Sequence, residues 1–291
     1  MKKFHELYFQ ALLNLVDRDK IKKRQLRVLV DPVNGAASEL LPELLNRAGV
    51  GVVKINWQMN QLPKRAPEPR KESLIETAKE VVRYECDLGL ATDMDADRVL
   101  FIDEKGQVLS EDLAAAIFVR EVLREERGAC VTPFNSSGLF RKTVEENKGR
   151  LVECLVGPPE ISAAVKRSRA VFAYEESGKY FFCRQFNWPD GLLAGLKMLD
   201  ILAKTTKTLS QIAAGFPVYY QVKLAVECPW EKMPQKWIGK GEKKIIGDSY
   251  YFIRASGTEP LIRIFADSPN QKTAKELAEQ GKKIVKDYAR I

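Results

Sequence analysis

The chain has 291 residues, of which 45% are hydrophobic and 30% are charged, a mixture typical of globular proteins built from two or three packed units. This composition excludes an intrinsically disordered chain and a collagen-like chain. With 47 lysines and arginines against 39 aspartates and glutamates, the formal net charge is +8. Such a charge favours anionic partners: phosphorylated metabolites, nucleic acid or an acidic surface.

The cysteines, the hydropathy and the single histidine exclude several classes of protein. The five cysteines are widely spaced and form no Cys-x-x-Cys pair, which excludes a disulfide framework and a zinc site and is typical of reduced, buried thiols. No apolar run approaches the roughly 20 residues of a membrane helix, and no signal-peptide cleavage site is visible. We therefore expect a cytoplasmic protein with no membrane contact. His5 is the only histidine, so we expect no His-based metal site or catalytic dyad.

The first part of the chain alternates helix and strand signals. Residues 4–16 have apolar side chains at helical spacing, which predicts an amphipathic helix. The basic run at 20–27 is interpreted as a solvated connector. The further elements predicted, in chain order, are strand 27–31, helix 38–47, strand 51–55, a loop at 61–72, helix 73–84, strand 88–91, a hairpin of strands 99–102 and 108–109, and helix 112–124.

The pattern then repeats. Val30-Asp31-Pro32-Val33-Asn34-Gly35 and Val131-Thr132-Pro133-Phe134-Asn135-Ser136 both end a strand, share Pro and Asn at matching positions and precede a helix. Each copy continues to a polar loop, Thr92-Asp-Met-Asp-Ala-Asp-Arg98 in the first and Tyr174-Glu-Glu-Ser-Gly178 in the second. We interpret this as an internal duplication of an α/β unit. Loops that follow strands in such sheets commonly bind ligands.

After Phe216-Pro217 the pattern changes to that of a smaller α+β unit. It predicts strands at 219–228, 250–254 and 261–266, a charged turn at 240–244 and a closing helix at 272–289. The predicted fold is therefore α/β, with two repeated α/β sandwich domains and a smaller C-terminal α+β domain. The predicted boundaries are a connector helix at 1–23, a metal-binding α/β domain at 24–124, a sugar-binding α/β domain at 125–212 and a phosphate-binding α+β domain at 213–291.

Asp93, Asp95 and Asp97 place three carboxylates at alternate positions of one extended loop. Their mutual repulsion favours a bound hard cation with oxygen ligands, Mg²⁺ before Ca²⁺. An EF-hand is excluded because Arg98 stands where that loop needs glycine and β-patterned segments flank the motif. The remaining alternative is a solvated acidic turn.

Two other loops carry polar side chains in a pattern that suits a sugar phosphate. Arg254-Ala-Ser256-Gly257-Thr258-Glu259-Pro260-Leu-Ile-Arg263 combines hydroxyls, backbone N–H groups around a glycine and two arginines, which favours phosphate binding over a plain β-turn. Glu175-Glu176-Ser177-Gly178-Lys179 places carboxylates beside a serine and a flexible glycine. The second loop suits sugar hydroxyls, although a charged turn is the more common explanation for such a string.

In order and spacing, these three loops resemble the signature loops of the α-D-phosphohexomutases, in particular the phosphomannomutase/phosphoglucomutase branch. Val30-Asp31-Pro32-x-Asn34-Gly35, Pro217-x-Tyr219-Tyr220 and Cys228-Pro229 resemble that branch too, so the resemblance covers essentially the whole chain. It implies an enzyme of carbohydrate metabolism, an intramolecular phosphotransferase (isomerase). Such an enzyme moves phosphate between O1 and O6 of a hexose through a bisphosphorylated intermediate.

The resemblance also implies roles for individual residues and assigns the repeated units to domains 2 and 3 of the family. Asp93, Asp95 and Asp97 hold Mg²⁺, and Arg98 and Lys179 occupy catalytic positions. The implied partner is a hexose phosphate or hexose bisphosphate. The residues expected to bind it are Glu175 and Ser177 at the sugar hydroxyls, and Arg254, Ser256, Gly257, Thr258 and Arg263 at the phosphate that is not transferred.

The chain departs from the family at the phosphate donor, a phosphoserine in a Ser-His-Asn type loop of the first domain. No Ser-His pair occurs in this chain, and Ser136 and Ser137 are expected to be structural rather than substitutes for it. The helix at 4–16 resembles the family's connector into domain 2, so we expect the first domain and its nucleophilic serine to be absent. We therefore expect a chain that is inactive alone. The first domain is either lost, removed or encoded on a separate chain that supplies the phosphoserine.

Three further departures leave a second function open. Lys179 stands where the family usually has His, and lysine is a poor general base at neutral pH unless burial changes its properties. Tyr174 replaces the usual Gly before the glutamates and predicts a reshaped sugar loop, and Gly157-Pro158-Pro159 lacks a basic residue often found there. The alternative is a non-catalytic sugar-phosphate-binding or regulatory protein. Only the net charge suggests a nucleic-acid binder, and no basic, aromatic stripe supports one.

Overall fold

The computed structural model of the chain describes residues 2–289. Two α/β units precede a C-terminal α+β unit. The first α/β unit contains α1 Lys2–Leu13, α2 Arg18–Arg24, β1 Arg27–Asp31, α3 Ala37–Arg47, β2 Gly51–Lys54, α4 Ile75–Arg83, β3 Leu88–Thr92, β4 Val99–Asp103 and α5 Glu111–Glu125. The second contains β5 Ala129–Pro133, α6 Gly138–Glu146, β6 Arg150–Cys154, α7 Pro158–Ser168, β7 Phe172–Glu175, β8 Lys179–Phe182, α8 Gly191–Ala203 and α9 Leu209–Ala213. The C-terminal unit contains β9 Tyr220–Glu227, β10 Glu242–Ile246, β11 Ser249–Ala255, β12 Leu261–Ser268 and α10 Gln271–Ala289.

The sheets of the two α/β units have the same topology. Their strand orders are β2-β1-β3-β4 and β6-β5-β7-β8. In each sheet the first three strands are parallel and the last is antiparallel to its neighbour. β1, β3, β5 and β7 are almost entirely buried, as strands with both faces covered must be. The predicted α/β duplication is confirmed.

The two sheets share one hydrophobic core, which runs from Phe9 to Ile212. Two helices join the units by packing on the neighbouring unit. Helix α5 packs on α6 and β7 of the second unit, whereas α8 packs on α2, α3 and β4 of the first. Apolar faces of both helices therefore lie in contact with both copies of the repeat.

The C-terminal sheet is antiparallel, with strand order β10-β11-β12-β9. One face, with Ile253 and Ile264, packs on α10 through Leu277 and Val285. The alternate residues of β11 point to the opposite face, because side chains alternate along a strand. On that face the Tyr250 hydroxyl donates to the carbonyl oxygens of residues 135 and 136 in the second α/β unit, each at 2.9 Å.

Two charged segments have secondary structure that was not predicted. The lysines of the basic run at 20–27 are exposed, as expected for a solvated segment. The run lies mostly in helix α2, where the Asp17 carboxylate caps the N-terminus by accepting from the Lys20 amide, and Ile21 is buried. The segment predicted as a charged turn at 240–244 lies mostly in strand β10, and Lys243 is buried there against Glu153 of the second unit, 2.6 Å from its Oε1.

Two boundaries also differ from the prediction. The N-terminal helix ends at Leu13 instead of extending to residue 16. The predicted strand at 108–109 is reduced to one bridge between Val108 and Ile102, and β4 pairs along its length with β3. Within residues 2–289, no helix is both long and apolar enough to cross a membrane.

Candidate functional site

The aspartate trio lies in the loop that joins β3 to β4. The Asp93 Oδ1 atom accepts from the backbone N–H of Arg98 at 3.1 Å, which closes the loop. Carboxylate oxygens of Asp93, Asp95 and Asp97 lie within 4.8 Å of one another. The structure therefore brings the three predicted metal ligands together.

Backbone hydrogen bonds fix this loop to three other segments. Met94 O accepts from Ala36 N–H (2.7 Å), Ala96 O accepts from Gly191 N–H (2.9 Å), and Val99 N–H donates to Gly178 O (3.0 Å). The last bond joins the loop of the aspartate trio, which we call the metal loop after its predicted ligands, to the turn between β7 and β8. Gly178 has a φ of +82°, and a Cβ there would lie 3.2 Å from Val99 O, so glycine lets the two units approach this closely.

Two basic side chains lie against the trio. The Lys179 Nζ is 2.5 Å from Asp97 Oδ2. The Arg98 Nε is 3.3 Å from Asp93 Oδ2, and the same guanidinium contacts Glu68 Oε1 through Nη1 at 2.9 Å. The two residues predicted to be catalytic thus lie beside the predicted metal ligands.

The electrostatics of the trio fit a hard divalent cation. Burial raises the pKa of Asp93 to about 7, and the charges of Asp97 and Asp95 act in the same direction. Within the described residues, the buried Oδ1 of Asp97 accepts no hydrogen bond. A buried oxygen without a donor and a carboxyl that resists ionisation both gain from an oxygen-seeking cation. The side chains present therefore fit Mg²⁺.

The predicted sugar turn follows β7. Glu175, on β7, is paired in register with Lys179 on β8, and the Ser177 hydroxyl donates to Glu175 Oε2 at 3.3 Å. Burial raises the pKa of Glu175, and the charge of Lys179 partly opposes that rise. The turn thus presents a carboxylate and a hydroxyl next to the metal loop.

Tyr174 lies beneath the sugar turn rather than on it. It is fully buried, with its ring near those of Phe140 and Tyr180. Its hydroxyl donates to Asp112 on α5, which also accepts from the Ser137 amide at 3.0 Å. This residue supports the turn from the core.

Ser136 and Ser137 are buried in the turn before α6. The Ser136 hydroxyl pairs with that of Thr132, and the Ser137 hydroxyl caps α6 by accepting from the Leu139 amide at 3.2 Å. Both hydroxyls are engaged in holding the backbone, in agreement with the structural role expected for them.

The predicted phosphate cradle lies on the C-terminal sheet. Arg254 and Arg263 are directly opposite each other on β11 and β12. The Ser256 hydroxyl accepts from the amides of Thr258 (3.4 Å) and Glu259 (3.3 Å). Burial, together with the charge of Arg263, lowers the pKa of Arg254. The Arg263 guanidinium pairs with Glu259, and both side chains are exposed. A dianion could replace this exposed carboxylate between the two arginines.

Strand register relates this cradle to the sugar turn. Arg263 lies two residues from Phe265, which is opposite Lys223 on β9, so both basic side chains share one face of the sheet. The Lys223 Nζ contacts Glu176 Oε1 at 3.2 Å. The face that carries the arginines therefore contacts the sugar turn. Among residues 2–289, no hydrogen bond or ion pair links the cradle directly to the aspartate trio.

A cavity of ≈490 Å³ lies beside the sugar turn, and Arg98, Ser177 and Lys223 are among the residues that line it. The aspartate trio and the phosphate cradle are not part of its lining. Glu176 lines it as well, and its buried Oε2 accepts no hydrogen bond within the described part of the chain. Burial raises the pKa of Glu176 to about 7, against the charge of Lys223. The cavity is polar and of a size suited to a small ligand.

Arg65 lies in the predicted loop at 61–72 and belongs to none of the sequence motifs. Its Nε is 2.9 Å from Asp31 Oδ2, and its Nη2 donates to Thr92 O at 2.7 Å. The side chains of Arg65 and Asp31 are 6% and 0% exposed, so the pair ties the ends of β1 and β3 just before the aspartate trio. The sequence signal for this ion pair was Asp31, a carboxylate at the end of an apolar strand, because a buried charge needs a partner of opposite charge.

Three family models match the chain: phosphoglucomutase/phosphomannomutase alpha/beta/alpha domain II over residues 6–106, alpha/beta/alpha domain III over residues 110–219, and the C-terminal domain over residues 202–283. The phosphoglucomutase/phosphomannomutase of Thermococcus kodakarensis is 34% identical over 296 residues, which cover 96% of this chain and 65% of that protein. These matches include all three loops of the candidate site.

Solved structures share the fold. A phosphoglucomutase/phosphomannomutase family protein from Burkholderia thailandensis aligns with a TM-score of 0.83 and 20% identity over 98% of this chain and 64% of that one. N-acetylphosphoglucosamine mutase from Aspergillus fumigatus, in complex with GlcNAc-6P and magnesium, aligns with a TM-score of 0.71 and 17% identity over 97% and 65% of the two chains. The chain spans less than two thirds of the length of each of these proteins.

Proposed function

Because the chain belongs to the phosphoglucomutase/phosphomannomutase family, we propose that it supplies the metal, sugar and phosphate sites for intramolecular phosphoryl transfer between O1 and O6 of a hexose. One observation carries the proposal: the loop of the aspartate trio and the turn between β7 and β8 are in direct contact. Val99 N–H donates to Gly178 O at 3.0 Å, and Lys179 contacts Asp97 at 2.5 Å. Loops from two units thus present carboxylates, a hydroxyl and basic groups together.

In this proposal Asp93, Asp95 and Asp97 hold Mg²⁺, the ion named in the complex of the Aspergillus fumigatus mutase. When bound, the ion neutralises negative charge that develops on a phosphoryl group. The Arg98 guanidinium lies beside the trio and lines the cavity, so it is placed to add positive charge at the same point.

The substrate is a hexose phosphate or bisphosphate held at both ends. Glu175 accepts from sugar hydroxyls and Ser177 exchanges hydrogen bonds with them, because their polar atoms lie together at the turn. The phosphate that is not transferred binds the cradle on the C-terminal sheet. The residues proposed to hold it are Arg254, Ser256, Gly257, Thr258 and Arg263.

The phosphoryl donor comes from outside these 291 residues. They contain no Ser-His pair, and the hydroxyls of Ser136 and Ser137 are buried and engaged. We propose that a phosphoserine-bearing domain outside these residues completes the site, and that these residues alone bind substrate without converting it.

A reconstitution assay tests this proposal. We expect the chain alone to leave glucose, mannose and glucosamine 1-phosphates unchanged, and mixing with a phosphorylated domain I of a family member to produce one of the 6-phosphates. The Asp95→Asn variant is the matched control, since it removes one carboxylate charge from the trio and should abolish turnover in the same mixture. Absence of turnover in every mixture would contradict the proposed catalytic role.

A non-catalytic sugar-phosphate-binding protein is the second candidate. The ion pair of Lys179 with Asp97 favours it, because that ammonium is engaged with a carboxylate rather than free for proton transfer. Calorimetric titration with glucose 6-phosphate and glucose 1,6-bisphosphate separates the two functions. Binding without turnover in any mixture supports the second candidate, whereas no binding contradicts both. Arg254→Gln should weaken binding in either case.

A further inference from the structure

Lys179 is buried against the aspartate trio. Its side chain is 10% exposed, and its Nζ lies 2.5 Å from Asp97 Oδ2. The residue begins β8 and is paired with Glu175 across the hairpin. The hairpin therefore fixes the backbone from which this ammonium reaches the metal loop.

The two basic groups at the trio do not contact its members equally. Arg98 Nε lies 3.3 Å from Asp93 Oδ2 and 3.7 Å from Asp97 Oδ1. Asp97 thus has a cationic group near each of its oxygens. Asp95 has no ion pair within residues 2–289 and is one of the two more exposed members. The ammonium of Lys179 consequently offsets the charge of a carboxylate that a cation at the trio would use, on the oxygen opposite Oδ1, which accepts no hydrogen bond within the described chain.

We propose that Lys179 is a built-in counter-ion that competes with a divalent cation for Asp97 and so keeps the cation affinity of the trio low. The inference rests on the proposed metal site. An ammonium and a metal ion repel each other and cannot share one carboxylate oxygen at contact distance. A cation at the trio therefore binds against the repulsion of this ammonium, even when it uses the Oδ1 of Asp97, the oxygen with no hydrogen-bond donor among the described residues.

Lys243 provides a matched control for removal of a buried lysine. Its side chain is also 10% exposed, and its Nζ lies 2.6 Å from Glu153 Oε1. It belongs to the C-terminal sheet and has no contact with the trio among the described ion pairs. Lys243→Met and Lys179→Met thus remove the same charge from similar surroundings, and Lys179→Arg keeps the charge at the tested position.

The experiment measures Mn²⁺ binding to the 291-residue chain by electron paramagnetic resonance, without substrate. We expect Lys179→Met to bind Mn²⁺ about tenfold more tightly or better than the wild type, because one competing charge is removed. Lys179→Arg and Lys243→Met should stay within about threefold of the wild type. Without cation, the melting temperature of Lys179→Met should fall, and Mn²⁺ should raise it more than it raises that of the wild type.

Equal Mn²⁺ affinities for the wild type and Lys179→Met would overturn the inference while leaving the metal site intact. Absence of Mn²⁺ binding in all variants would instead overturn the metal site itself, so the two failures are distinguishable. If circular dichroism shows that Lys179→Met does not fold, Lys179→Gln removes the same charge with a polar side chain and carries the same expectation.

Discussion

The two α/β units have the same sheet topology, yet their first strands are anchored by different chemistry. Asp31 ends β1 as a buried carboxylate and pairs with Arg65 at 2.9 Å. At the matching position of the second copy, Thr132 on β5 pairs its hydroxyl with that of Ser136. A charged anchor thus stands in one copy where a neutral anchor stands in the other.

The difference follows the chemistry of the neighbouring loops. Arg65 also holds Thr92 O at 2.7 Å, directly before the aspartate trio, so a buried positive charge supports a loop that carries three negative ones. The second copy supports the sugar turn with hydroxyl groups and with Tyr174. The two copies of one scaffold therefore carry loops of different charge, because their strand-end anchors and loops differ while the sheet topology does not.

The largest expected loss in the free energy of unfolding follows from removal of the ion pair between Arg65 and Asp31. Arg65→Met leaves the Asp31 carboxylate buried without its cation, which typically costs about 3–5 kcal/mol. Chemical denaturation should show this loss in the free energy of unfolding. Arg70→Met is the control from the same loop, because its ion pair with Glu68 is exposed and should change stability by about 0.5 kcal/mol or less. Similar losses for both variants would contradict the anchoring role.

Removal of the neutral anchor, the hydroxyl pair of Thr132 and Ser136, should lower the free energy of unfolding by less. Thr132→Val removes the hydroxyl that pairs with buried Ser136, and an unsatisfied buried hydroxyl costs about 1–3 kcal/mol. Thr206→Val, on an exposed threonine, should stay within about 0.5 kcal/mol of the wild type. A loss for Thr132→Val as large as that for Arg65→Met would remove the distinction between the two anchors.

The first unit should also respond to pH. Burial raises the pKa of Asp93 to about 7, so a cation must displace a proton below that pH, and its Kd should rise about tenfold per unit of acidification. Calorimetry with Mg²⁺ at pH 6 and pH 8 measures this, and equal Kd values would contradict it.

Without cation the folded state holds the Asp93 proton more tightly than the unfolded chain does. The stability that Asp93 contributes at acid pH is therefore lost as the pH rises through 7.

The smallest effect is expected at the pair that joins the sugar turn to the C-terminal sheet. Burial raises the pKa of Glu176 to about 7, so Glu176→Gln replaces a group that is partly neutral already. Lys223 is half exposed, and the change in unfolding free energy should be within about 0.5 kcal/mol. Lys223→Met tests the other member, and a loss above about 2 kcal/mol for either variant would show that this contact matters more than its exposure suggests.

Local patterns were sufficient to predict the duplication and the aspartate trio. The shared Pro and Asn after β1 and β5, and the alternating carboxylates, lie within short stretches of sequence. The strand β10 was missed because its charged side chains interrupt the alternation of apolar and polar residues that predicts a strand. Lys243 in this strand pairs with Glu153 of another unit, a contact that local sequence does not indicate. Helix α2 was missed because Ile21 is its one buried residue.

The contacts between loops could not be predicted from local patterns. Arg65, Glu68 and Lys223 reach the site from segments that have no motif of their own, and each acts through a partner distant in sequence. The close approach of Gly178 to Val99 likewise depends on how two units pack. Such pairings depend on tertiary packing, so they become visible only in the folded chain.

The exchange of α5 and α8 between the two units has a consequence for how this architecture can change. Each helix buries apolar residues against the copy to which it does not belong in sequence, so a break between the copies would expose apolar surface on both sides of the cut. Excision of either repeat, or its transfer into another protein, would carry that cost. Changes in the loops do not expose this surface.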